Sequence, residues 1–176
     1  MILLFHLFTL VFAEDFPESC SHKTSSINSI FGGKPAKAHS WPWVGALLIR
    51  KSLWWDEWSY SCVVSLISDS WALTAAHCLN FPESGEQLKE SQLLVRFGAH
   101  NITGMEMGSV TVHVARIVRH PDFDSSVLRN DIALLQLGVK VPFSSYISTV
   151  CLPMDLQPVA AKDYGMVVGW GLTEGL

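Results

Sequence analysis

The feature that most constrains this chain is a set of short apolar runs with turn residues between them. "WVGALLIR", "YSCVVSLIS", "WALTAA", "LLVRFGA", "VTVHVARIVRH" and "DIALLQL" are rich in Val, Ile, Leu and aromatic residues. "SGEQLKES", "HNITGMEMGS" and "HPDFDSSVLRN" separate them and carry Gly, Pro, Asn, Asp and Ser. No stretch of convincing length repeats with the period of a helix. In "VTVHVARIV", Val110, Val112 and Val114 alternate with Thr111, His113 and Ala115. That period of two predicts a strand with one buried face. Short strands at this spacing predict an all-β domain, either a small antiparallel barrel or a sandwich.

The 176 residues suit one domain of ordinary size. Net charge is -4 with no basic cluster, which argues against a nucleic-acid partner. The start, "MILLFHLFTLVFA", has an apolar run too short to span a bilayer. Val11 and Ala13 precede Glu14 as small residues precede a cleavage site, so residues 1–13 read as a secretory signal peptide and no membrane span is expected. No Lys or Arg precedes the apolar run. Residues 14–29, polar and without periodicity, read as an extended leader.

Secretion puts the cysteines in an oxidising compartment. Cys20, Cys62, Cys78 and Cys151 are even in number, and four cysteines allow three pairings. A zinc site is the competing reading, weakened by the lack of Cys-x-x-Cys or His-x-x-x-His spacing. Asn101-Ile102-Thr103 is a glycosylation sequon, expected on a surface loop. "KSLWWDEW" places Trp54, Trp55 and Trp58 beside Asp56 and Glu57, as a binding surface or as the cover of a barrel end.

Two further motifs carry chemistry. "LTAAHC" puts His77 at the end of a strand, and "NDIALLQL" puts Asp131 at the start of another. An imidazole can take a proton from a weak nucleophile when a buried carboxylate holds its far ring nitrogen and fixes its tautomer. Singly, His77 reads as a core histidine and Asp131 as a turn residue. The ordered series "IFGG", "SWPW", "CVVSLIS", "SWALTAAHC", "NDIALLQL", "VCLP" and "VVGWG" gives them a joint meaning. From Ile30 to the end, this series resembles the trypsin/chymotrypsin-like serine proteases.

The resemblance implies a fold of two antiparallel β-barrels with the site between them. Residues 30–145 match the first barrel, 146–160 the connection and 161–176 the opening of the second. It also implies roles. His77 matches the general base and Asp131 its orienting carboxylate. Cys62–Cys78 matches the bridge that braces the histidine loop. Cys151 matches a cysteine that in many relatives holds the leader, which leaves Cys20 as its partner. In the chain-entropy account the short bridge contributes about 3 kcal/mol and the long one about 4–5 kcal/mol. Protein or peptide substrates or inhibitors are the implied partners, with no cofactor and no metal.

The departures from the family pattern are specific. The family's serine lies in a Gly-Asp-Ser-Gly-Gly run that does not occur in these residues. Ser65 and Ser68 lack the glycine-rich turn that would present a hydroxyl beside two amides. Ser29 precedes Ile30 where relatives carry Arg or Lys, and the nearest upstream basic residue is Lys23. Val63-Val64 replaces the usual Gly-Gly after Cys62, which puts packing beside the cleft in question. Gly165 stands where many relatives carry a cysteine. Some relatives bind calcium in the loop matching "GAHNITGMEMG", but Ala99 and His100 offer no carboxylate and Glu106 stands alone, so no calcium site is expected. The expectation is a secreted serine endopeptidase homologue whose second barrel is only begun, inactive as given, with a tail loosely held after Val159. A non-catalytic protease-like binding module is the alternative.

Overall fold

A computed structural model describes residues 35–50, 57–82, 84–153 and 165–171. The proposed signal and leader segments, Trp54 and Trp55 lie outside these residues.

Among the described residues six strands form, at the six places the apolar runs predict. They are β1 (Val44–Arg50), β2 (Trp58–Leu66), β3 (Trp71–Thr74), β4 (Leu93–Phe97), β5 (Val110–Arg119) and β6 (Ala133–Leu137). All pairings are antiparallel, in the order β1-β2-β3-β6-β5-β4, and β4 returns to β1 to close a barrel. Closure excludes the sandwich. Two register shifts, at Leu47/Leu48 on β1 and Val114/Arg116 on β5, bend the sheet. On β5, Val112 and Val114 are buried while Thr111 and His113 are exposed, and the alternation ends at the second shift.

Strand ends depart from the sequence reading. β2 begins two residues before Tyr60, because Trp58 and Ser59 pair with Arg50 and Ile49. The Trp58 ring also lies under the Arg50 guanidinium, 5.4 Å from its centroid. "WALTAA" is strand only through Thr74, after which the backbone tightens into a 3-10 turn, Ala76–Leu79.

Among the described residues, the barrel is filled by aliphatic side chains around one fully buried ring, Phe97. On its outer face, Ile67, Trp71 and Leu134 form a second cluster, covered by Val150 and Leu152. Ile147, Val150 and Leu152, past residue 145, therefore still pack on the barrel. Ile147 is buried in the main core, and Val150 N–H donates to the Leu66 carbonyl at 2.9 Å.

Gly45 sets how closely β1 and Phe97 approach. A Cβ there would lie 2.6 Å from the Phe97 ring and 2.9 Å from Val64 Cγ2. Replacing a strand glycine by alanine ordinarily stabilises by about 0.5–1 kcal/mol. Overpacking a filled core costs about 1–3 kcal/mol, and here it dominates. Gly45→Ala is expected to lower the melting temperature; an unchanged or higher value would contradict this packing.

Candidate active site

Register brings His77 and Asp131 together. β3 pairs with β6 so that Thr74 faces Ala133. His77 lies three residues beyond Thr74 and Asp131 two residues before Ala133, so both emerge at the same end of adjacent strands. In the turn, Ala76 and Cys78 point into the core, which turns His77 outward. Cys78 is bonded to Cys62 on β2, tying the turn to the neighbouring strand. Arg119 supports the segment that follows, since its Nη2 donates to the carbonyls of Leu79 and Leu88, each at 3.0 Å.

Asp131 grips His77 twice. Oδ1 accepts the His77 backbone N–H at 2.8 Å, and Oδ2 lies 2.6 Å from Nδ1. A carboxylate at that distance accepts the Nδ1–H, which in the neutral ring places the lone pair on Nε2. The histidine side chain is 51% exposed and the aspartate 19%. Burial pushes the Asp131 carboxyl up. The His77 ring, the His77 and Ala76 backbone N–H groups and the charge of His77 more than offset that, and the carboxyl ends below its ordinary value.

The residue before the carboxylate helps to aim it. Asn130 adopts a left-handed conformation, φ 55, which asparagine tolerates better than most side chains. Its Nδ2 donates to the Asp122 carbonyl at 2.9 Å. Nothing in its side-chain chemistry singled it out beforehand, and the same holds for the backbone N–H donors to Asp131.

His77 Nε2 lies 3.5 Å from Cys78 Sγ. Cys62, His77 and Cys78 have the spacing of a metal cluster, but both sulfurs are already bonded to each other and offer no thiolate. Among the described residues no serine hydroxyl bonds to the His77 ring. Ser68 is buried and accepts the Ser70 N–H at 3.3 Å. Ser65 sits within β2, paired with Val44 and Leu73. Cys151 has a bonding partner; Cys20, the expected one, lies outside the described residues.

Val63 and Val64 have distinct surroundings. Val64 is buried in the core. Val63 faces Gly169, where a Cβ would fall 2.9 Å from Val63 Cγ2. The "GWG" turn thus lies against β2. Trp170 Nε1 donates to the His100 carbonyl at 2.8 Å, and its ring meets Tyr60 edge-on, with centroids 6.0 Å apart. This part of the tail, expected to be loose, is held by a directed hydrogen bond and a ring contact.

Glu106 organises the loop after β4. Its Oε2 accepts the backbone N–H groups of His100 and Asn101 at 2.6 and 2.9 Å, and Oε1 lies 3.4 Å from His39 Nε2. The Asn101 and His100 N–H groups hold its carboxyl below the ordinary value. From the other side, Arg96 Nη1 donates to the carbonyls of Ile102 and Gly104.

The barrel thus sets an imidazole on a carboxylate at the shared end of two paired strands. The family described as Trypsin matches residues 30–176, and the chain belongs to that family. It is 34% identical over 167 residues to Venom serine protease Bi-VSP of Bombus ignitus, covering 88% of this chain and 42% of that protein. It is 36% identical over 142 residues to Cathepsin G of Mus musculus, covering 81% and 49%. Mast cell protease 3 of Ovis aries is also 36% identical over 142 residues, covering 81% and 51%. The chain spans about half the length of the curated relatives it matches.

The Asp131 carboxyl fixes the sign of one pH dependence. Its folded pKa lies below the ordinary 3.8, so the stability it contributes is present above that value and is lost as pH falls through the lower folded one. The stability difference between wild type and Asp131→Asn is expected to shrink in this acid range. Denaturant titrations showing a constant difference from neutral pH to about pH 2 would contradict it. For the loop, Glu106→Ala is expected to speed hydrogen exchange at the His100 and Asn101 amides. Calcium is expected to leave the wild-type melting temperature unchanged, because the one acid of the loop already serves two backbone donors; a calcium-dependent rise counts against this.

Proposed function

We propose that this chain carries the proton-accepting half of a serine endopeptidase site and that these residues alone do not hydrolyse peptide bonds. The single observation behind the reading is the double grip of Asp131 on His77, which leaves Nε2 as an oriented, accessible base. Such a base acts by taking the proton of a serine hydroxyl as that oxygen attacks a carbonyl. The attack also needs a hydroxyl at Nε2 and donors for the developing oxyanion, where loss of one donor alone costs about 100–1,000-fold in rate. The 176 residues hold no Gly-Asp-Ser-Gly-Gly run to supply them. Secretion under residues 1–13 and a leader tethered through Cys20–Cys151 complete the reading. Protein or peptide substrates are the class implied by relatives named as serine proteases.

The test is direct. A homogeneous preparation of these residues is expected to show no labelling by a serine-directed phosphonate and no peptide hydrolysis. Labelling or turnover that disappears in His77→Ala would overturn the proposal.

A further inference from the structure

The sequon at Asn101 lies next to the segment that fastens the "GWG" turn. Asn101 and Thr103 are exposed. Asn101 Oδ1 accepts two hydrogen bonds from Thr103, from its N–H at 2.9 Å and its hydroxyl at 2.7 Å. Both donors hold the carboxamide oxygen in place. They also fix the carboxamide plane, and among the described residues nothing occupies Nδ2. Arg96 and Glu106 hold the surrounding loop from two sides. An open groove of about 510 Å³, lined by His100, Asn101, Ile102, Thr103, Trp170 and Gly171, begins at this side chain. Its aromatic lining residue is Trp170, whose indole N–H is already committed to His100.

We propose that Asn101 carries an N-linked glycan whose first N-acetylglucosamine seats in this groove against Trp170 and holds the "GWG" turn on the barrel. The inference rests on the secretory part of the functional reading. In the modification step, Asn101 Nδ2 attacks C1 of an oligosaccharide borne on a polyprenyl diphosphate. The N–C1 bond forms and the C1–O bond to the diphosphate breaks. The diphosphate leaves with the electron pair, and one Nδ2 proton passes to solvent. The sugar's C–H face then packs on the indole, as apolar groups pack on aromatic faces elsewhere. Because the sugar is covalently attached beside its site, it binds as an intramolecular ligand and loses little translational freedom.

The test expresses the full chain in a eukaryotic host that adds high-mannose glycans, once with its own N-terminus and once with residues 1–13 replaced by an established signal peptide. Peptide mapping reads occupancy of Asn101. Hydrogen exchange at the Trp170 and Gly171 amides is then compared in three forms: intact glycan, glycan trimmed to one N-acetylglucosamine, and glycan removed by an amidase. The amidase converts Asn101 to Asp and so retains a side-chain oxygen for Thr103. The intact and trimmed forms are expected to exchange alike, and the stripped form about fivefold faster. The difference is expected to vanish in Trp170→Ala. An unmodified Asn101 under the replacement signal, or equal exchange in all three forms, would overturn the proposal. Occupancy only under the replacement signal supports the glycan site and removes the native signal from the functional reading.

Discussion

Two hydrogen bonds that one carboxylate accepts from one histidine organise the candidate site, and both depend on strand register. Asp131 reaches His77 because β3 and β6 run antiparallel with Thr74 opposite Ala133. A slip of one residue would turn the β6 side chains to the other face and carry Asp131 away from the turn. The same register buries Leu135 inside the barrel and Leu134 in the outer cluster. Packing on both faces of β6 therefore fixes the alignment that the site uses. Since Oδ1 takes the backbone N–H and Oδ2 the ring, the carboxylate sets both where the turn lies and how the imidazole points.

Much of this was legible in the residues. The six strands follow from apolar runs and a period of two, which respond only to burial on one face or both. Their ends were less legible, because pairing is decided by the partner strand: Trp58 extends β2 through Arg50, and Thr74 ends β3 where the backbone must turn to present His77. The choice between barrel and sandwich rested on β1 meeting β4, a pairing that no local pattern encodes.

The site was legible in the same uneven way. His77 and Asp131 stood out through the order of motifs around them, and the Cys62–Cys78 bridge came with the same resemblance. The N–H donors to Asp131 did not, because every residue but proline carries one and only the fold selects which are aimed. Glu106 read as a lone acid without a cation. In the structure its charge is met by backbone amides, a partner that leaves no trace in composition. Trp170 read as part of a loosely held tail, whereas its contacts, His100 and Tyr60, lie far back along the chain.

Closure of the barrel by β1 and β4 has a consequence for how the chain reaches this state. Two of the six pairings, β1 with β4 and β3 with β6, join strands distant in sequence, and closing such long-range contacts slows folding. A nascent chain holding β1 to β3 has no partner for either outer strand until β4 and β6 emerge. During that interval the exposed ladder is open to pairing with other chains. The Cys62–Cys78 bridge joins β2 to the turn after β3, so it can form within the first three strands. An early covalent staple there would preserve one hairpin while the remaining strands arrive, guarding the slow stage of assembly as well as bracing the finished fold.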